Sequence, residues 1–190
     1  MPAETADFLV IGAGMAGASA AAHLAALGRV ILLERESQPG YHSTGRSAAL
    51  FSETYGNLPV RLLTRAGRAY YQSWADGLAE HPIMTPRGAL FFAMPGQERL
   101  LEAIWAELSP QRPTMVRLDP AEARQLVPVL RPDKVVAAIH EPGEMDLDVH
   151  GLHGAYLRRL SSTRPAPGST RSPLLPACRR SASCQSGAPR

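Results

Sequence analysis

The sequence predicts an α/β fold that opens on a strand, a glycine-rich turn, a helix and a second strand, and three observations carry that prediction. An apolar run at residues 8–11 ends at glycine; Gly12, Gly14 and Gly17 follow in G-x-G-x-x-G spacing ahead of an alanine-rich stretch; and a second apolar run, residues 30–33, ends at Glu34. The first run shows no polar alternation, so it reads as a strand buried on both faces of a parallel sheet. Gly12 suits a tight turn, Gly14 lets a phosphate approach the backbone without a Cβ in the way, and Gly17 lets the helix lie close to the strand. The helix continues to about residue 27, with Ser19 and His23 as its only polar side chains, and its first amides lack helical acceptors. Gly28 stops it.

Glu34 lies 20 residues beyond Gly14, where a carboxylate can accept ribose hydroxyls and repel a 2′-phosphate. In this order the features specify a Rossmann-like unit that grips the adenosine diphosphate half of a dinucleotide; the glycines alone would also suit a turn in some other α/β protein. Residues 8–27 are long enough for a membrane span at about 1.5 Å per residue, but the glycines at the strand–helix junction account for the run better. Glu4 and Asp7, not a basic segment, precede it, so the expectation is a cytoplasmic protein with no integral membrane span.

Residues 39–49 run Pro39, Gly40, Tyr41, His42, Ser43, Thr44, Gly45, Arg46, Ser47, Ala48, Ala49 and read as a loop leading into a helix. Composition alone leaves two readings, a polar surface loop or a lining for a phosphate or flavin edge. Here the sequence resembles a known family. Segment 7–56 is similar to the N-terminus of the flavin-dependent amine and amino-acid oxidoreductases related to D-amino-acid oxidase, and most similar in wording to bacterial D-arginine dehydrogenases, in which E-R-E-x-x-P-G-Y-H-S-T-G-R-S-A-A follows the second strand. The likeness continues to about residue 160 through Glu80-His81-Pro82, Pro86-Arg87, residues 127–131 and Asp133-Lys134-Val135.

The resemblance implies a GR2-type flavoprotein: an incomplete Rossmann-like FAD-binding domain with the beginning of an antiparallel substrate domain. It implies non-covalent FAD and hydride transfer to flavin from the CH–NH carbon of a small D-amino acid or related amine. By the same resemblance Glu34 holds the adenosine ribose with Arg35 beside it; Ser43, Thr44, Arg46, Ser47 and Ala48 form a loop and helix start near the pyrophosphate and flavin; and Tyr55 is a catalytic-site residue. Leu50 and Ala89 stand where the D-arginine enzymes carry a histidine and a guanidinium-recognising glutamate. Neither can hydrogen-bond an amino acid or pair with a guanidinium, so a less basic D-amino or secondary amino acid is expected. The resemblance covers less than half of a complete family member, so the chain reads as C-terminally truncated. A non-catalytic or partner-dependent nucleotide-binding fragment therefore competes with the enzyme, and an NAD-dependent dehydrogenase is permitted by residues 1–36 but disfavoured by the loop after them.

Residues 58–78 predict an amphipathic helix with Leu62, Leu63, Ala66, Ala69, Tyr70 and Trp74 inward and Arg61, Arg65 and Arg68 on a solvated face. No basic patch or aromatic ladder accompanies these arginines, which argues against nucleic acid. Residues 88–94 read as a strand, 97–108 as a helix with Leu100, Leu101, Ile104 and Trp105 inward, and 114–118 as a strand. Asp119, Pro120 and Glu122 form a capping-box start for a short helix. A strand at 135–140, a turn at 141–144 and a helix from about Asp148 to Leu160 complete the series, divided as 1–56, 57–160 and a tail, 161–190. His140, Glu141, Glu144, Asp146, Asp148, His150 and His153 follow no closed zinc or calcium spacing, so no metal is expected. His42 beside Ser43 lacks the strand–nucleophile–helix elbow of a hydrolase.

The composition breaks at residue 161. The tail holds Arg164, Arg171, Arg179, Arg180 and Arg190, no acid, and both cysteines, Cys178 and Cys184. The formal charge of +3 is thus a property of the tail. Ordering its backbone would cost about 1–2 kcal/mol per residue, against two large aliphatics, Leu174 and Leu175, at about 1.5–3 kcal/mol each. The expectation is disorder, with out-of-frame coding sequence as a candidate origin and no structural disulfide.

Overall fold

Along the chain the elements are β1 (Phe8–Ile11), α1 (Met15–Leu24), β2 (Val30–Glu34), β3 (Leu50–Phe51), α2 (Leu58–Ser73), β4 (Met84–Pro86), β5 (Ala89–Ala93), α3 (Glu98–Leu108), a 3-10 turn (Ser109–Gln111), β6 (Val116–Leu118), α4 (Pro120–Leu126), β7 (Ala137–Glu141), β8 (Met145–Leu147), α5 (Val149–Ser162) and β9 (Leu174–Pro176). The computed structural model describes residues 5–73, 81–162 and 174–176. The chain divides into two units, one of residues 1–48, 75–81 and 149–190, the other of 49–74 and 82–148. Among the described residues no helix is long and apolar enough to cross a membrane.

In the first unit β1 and β2 pair in parallel, with Phe8 opposite Val30 and Ile11 opposite Leu33. Helices α1 and α5 pack together over one face of this sheet, closing a core of Ala13, Ala21, Ala25, Val30, Leu32 and Leu160 with Phe8 and Val10. Alanines at 18, 21 and 22 are buried and let α1 sit close to its neighbours. The expectation that β1 is buried on both faces is corrected: Leu9 and Ile11 are 59% and 80% exposed. Both helices lie on the Phe8–Val10 side, so the alternate residues point to a face that no described element covers. α1 is also shorter than expected, giving way to turns after Leu24.

Leu174–Pro176 continues the sheet as β9, parallel to β2, with Leu32 opposite Leu174 and Glu34 opposite Pro176. Disorder is therefore corrected for these three residues. The open edge of β2 supplies backbone partners that a composition argument does not count. Ser161 and Ser162 end α5, and the rest of the tail, Cys178 and Cys184 included, lies outside the described residues.

Among the described residues the second unit holds two antiparallel three-stranded sheets, ordered β3-β8-β4 and β5-β7-β6. Ala93, Leu101, Leu108, Met115 and Ile139 form its apolar core, with Ile104 and Trp105 packed against it. Leu100 is exposed, contrary to expectation, because Leu101 takes the inward position of α3. The capping box of α4 is present as the sequence predicts: Asp119 accepts from the Glu122 amide at 2.8 Å, and Glu122 accepts from the Asp119 amide at 2.9 Å. Residues 47–49 lead into β3 and not into a helix, and Ala49 turns the chain there with φ +57.

Helix α2 presents the opposite face to the one its periodicity predicts. Leu62 and Leu63 are 52% and 75% exposed and Ala66 and Ala69 are exposed, whereas Arg61 is buried. Carboxylates decide this. Arg61 Nη2 donates to Glu107 at 2.6 Å, and Arg68 pairs through Nε with Glu53, which is buried, while its Nη2 donates to the Gly143 carbonyl at 2.8 Å. Trp74 and the remainder of the expected helix lie outside the described residues. Glu53 also accepts from Arg112, whose guanidinium forks onto Glu141 at 3.1 and 3.2 Å. Glu141 further accepts from Thr114 Oγ1 at 3.0 Å and the Gly143 amide at 2.7 Å. Thr54 Oγ1 donates to the buried Glu144 at 2.8 Å. These contacts engage both carboxylate oxygens of Glu141 and Oε1 of Glu144.

Candidate dinucleotide-binding site

The site grows from the β1–α1 turn. Gly12 adopts φ +94, a conformation that favours glycine, and a Cβ built on it would meet no atom within 4 Å. Gly17 differs: its Cβ would fall 1.8 Å from the Gly12 carbonyl oxygen, so only glycine lets α1 cross the turn this closely. Gly14 caps α1 without a side-chain hydrogen bond, and the Ala18 amide donates to the Gly14 carbonyl at 2.8 Å. Met15, Ala16 and Gly17 therefore begin the helix with amides that have no intrahelical acceptor. Thr44 Oγ1 accepts the Met15 amide at 2.9 Å. The remaining helix start is a positive pole suited to an anion.

Glu34, at the end of β2, closes the other side. Its Oε2 accepts the Ala13 amide at 2.8 Å and its Oε1 the Glu36 amide at 3.0 Å. Each carboxylate oxygen keeps acceptor capacity beyond one bond, so both remain able to take a ribose hydroxyl. The Glu36 amide holds the Glu34 carboxyl below the usual carboxylate range; partial burial opposes this, and the Ala13 amide adds to it. The ionised form is therefore the stabilised one. Its contribution to folding is complete above the unfolded carboxylate pKa and is lost as pH falls through the lower folded value. The urea midpoint of Glu34→Gln is thus expected to fall short of wild type at pH 7 and to converge with it in acid. A constant gap down to pH 3 would refute the assignment.

A cavity of about 520 Å³, within the roughly 300–1,000 Å³ range of small-molecule sites, is lined by Gly12, Gly14, Met15, Ala16, Gly17, Glu34 and Glu36 together with residues 40–44. It thus brings together Gly12, Gly14, Gly17, Glu34, Ser43 and Thr44 of the residues singled out in the sequence. The others lie elsewhere. Arg35 turns onto Glu36 at 2.8 Å, and Arg46 stacks over the Tyr41 ring at 5.4 Å. Ser47 lines a separate recess of about 300 Å³ with Gly40, Thr44, His150 and His153, and Ala48 is exposed. Tyr55 belongs to the second unit, where it is exposed ahead of α2; Leu50 is in β3 and Ala89 begins β5.

Sequence reasoning missed two members. Glu36 accepts from His42 at 3.1 Å, and this bond, with that from Arg35, holds its carboxyl low beside Glu34. His153 reaches the glycine turn from α5, with Nε2 2.7 Å from the Ala13 carbonyl oxygen. Glu36 could have been found from its place two residues beyond Glu34. His153 could not, because 140 residues separate it from its partner.

Comparison with known proteins agrees with this fold. The family model described as FAD dependent oxidoreductase matches residues 7–163. Glycine oxidase from Geobacillus kaustophilus superposes with a TM-score of 0.73 at 19% identity, covering 90% of this chain and 46% of that one. Iminodiacetate oxidase from Chelativorans sp. BNC1 gives 0.63 at 33% identity over 80% of this chain and 43% of its own. L-proline dehydrogenase from P. horikoshii gives 0.67 at 21% identity over 82% and 41%. The chain thus spans less than half the length of these structures. The mixed α/β architecture, with its parallel nucleotide unit and antiparallel sheets, is that of FAD-binding oxidoreductases. Since the match runs from β1 through α5 and includes the glycine turn, Glu34 and the loop after it, the chain belongs to the FAD-dependent oxidoreductase family.

Proposed function

We propose that this chain binds FAD through the β1–α1 turn and serves the oxidation of the CH–NH bond of a small amino acid or amine. The observation that carries the reading is the cavity in which Gly12, the start of α1 and the doubly bonded Glu34 carboxylate converge. The residues present fit the adenosine diphosphate half of FAD: open space beside Gly12, helix-start amides for a pyrophosphate, and a carboxylate with spare lone pairs for ribose. When bound, FAD supplies a two-electron acceptor. Glu34 orients the adenosine, Thr44 holds the start of α1 in place, and Tyr55 is assigned to the substrate side. Arg35 is assigned to the adenosine side with Glu34, and Ser43, Arg46, Ser47 and Ala48 to the neighbourhood of the pyrophosphate and flavin.

Leu50 and Ala89 support a substrate without a guanidinium, a D-amino or secondary amino acid. The partial span and the uncovered Leu9 and Ile11 support a second reading, an FAD-binding fragment that needs a partner for turnover. The ultraviolet–visible spectrum of purified protein separates them. Flavin absorption bleached anaerobically by glycine, D-alanine, sarcosine or proline, but not by D-arginine, is the result expected of the enzyme. Flavin that none of them bleaches favours the fragment. Protein that takes up no added FAD sinks both.

A further inference from the structure

The geometry points to His153 as a positioning residue that sets the orientation of the glycine turn for a pyrophosphate, an inference that rests on the dinucleotide reading of this site. His153 lies on α5 and is 7% exposed, with Nε2 2.7 Å from the Ala13 carbonyl oxygen. A carbonyl only accepts, so Nε2 carries the hydrogen. Two successive peptide planes of the turn are thereby held by side chains. The Ala13 amide, in the plane shared with Gly12, donates to Glu34; the Ala13 carbonyl, in the plane shared with Gly14, accepts from His153.

The second plane matters more for a ligand. The peptide is trans, as are all the described peptide bonds, so the Gly14 N–H points opposite to the Ala13 carbonyl. Drawing that carbonyl onto His153 turns the Gly14 N–H away from α5, and Gly14 lines the 520 Å³ cavity. Loop residues fix the other edge of the imidazole. A Cβ on Gly40 would lie 3.1 Å from its Cε1 and 3.3 Å from its Nδ1, so the glycine makes room for the ring, and Thr44, four residues on, caps Met15. His153 thus stands between the glycine turn and the loop that completes the site.

The test compares His153→Leu, which removes the donor, with His153→Gln, which places an amide N–H near the position of Nε2, and His153→Asn, which is too short to do so. Two quantities are read: the dissociation constant for FAD, from flavin fluorescence, and hydrogen exchange of the peptide covering residues 11–17 in unliganded protein. His153→Leu is expected to weaken FAD binding about tenfold, the scale of one good hydrogen bond, and to speed exchange in that peptide. His153→Gln is expected to restore both. Wild-type exchange and affinity in His153→Leu would overturn the proposal, as would His153→Gln behaving like His153→Leu at equal melting temperature. If His153→Leu does not fold, His153→Gln and His153→Asn decide: protection in the first only supports the role, and no difference between them overturns it. Wild-type protein that binds no FAD would defeat the proposed function, while the exchange comparison would still judge His153.

Discussion

Gly17→Ala is expected to abolish FAD retention and to destabilise the first unit by roughly 3 kcal/mol or more, at the upper end of what overpacking costs. The added methyl would sit 1.8 Å from the Gly12 carbonyl oxygen, 3.0 Å from the Gly12 carbonyl carbon and 3.4 Å from Val10 Cγ1. Backbone atoms cannot rotate aside as a side chain would, so α1 must withdraw from β1. That opens the Ala13, Ala21 and Val30 packing and separates the helix start from Glu34. Gly12→Ala is the control. Its methyl meets nothing within 4 Å, so the cost is only that of φ +94, about 1–3 kcal/mol, and the protein should still fold. The same methyl enters the open side of the turn, so FAD affinity falls there too. Urea unfolding with a flavin titration reads both quantities. A Gly17→Ala protein as stable as wild type would show that the turn is not packed as described.

Arg112→Met is expected to destabilise the second unit by about 3–5 kcal/mol, the usual consequence of removing one partner from a buried ion pair. Arg112 is the common partner of Glu53 and Glu141, whose side chains are 3% and 0% exposed. Burial pushes the Glu141 carboxyl up, but the bonds from Arg112, the Gly143 amide and Thr114 outweigh it and leave the pKa below the usual range. In the wild type this contribution is present above the unfolded carboxylate value and is lost as pH falls through the lower folded one. In Arg112→Met burial, the largest single influence on Glu141, would dominate and raise the folded value, so the variant should gain stability as pH falls from neutral toward the unfolded carboxylate value, where the wild type does not. Adding Glu141→Gln should recover part of the loss and flatten that dependence. Equal urea midpoints for wild type and Arg112→Met at pH 7.5 would reject the network as a source of stability.

What the sequence revealed was local. The turn from Ile11 to Gly17, the acid at Glu34 and the capping box at Asp119 each depend on residues a few places apart, and each is found where the spacing puts it. β4 and β8 were invisible because three residues carry no period, and they exist only by pairing with each other and with β3. The face of α2 was misread for a related reason. Its periodicity separates arginines from leucines correctly, but which face turns inward is decided by Glu53 and Glu107, the latter 46 residues from Arg61. The site shows the same division: its glycines and Glu34 were legible, while His153 enters from the far end of the chain.

The inverted α2 makes ionic strength act on this protein in two opposed ways. Added salt screens exposed charges but barely reaches the buried Glu53, so Arg68 should keep its grip while surface repulsion between molecules fades. A strongly excluded salt such as ammonium sulfate also raises the free energy of apolar surface in contact with water, and here that surface includes Leu62 and Leu63. The molecule therefore becomes stickier without becoming looser. Its colloidal limit would be reached while the fold is still intact, and precipitation should be reversed on dilution.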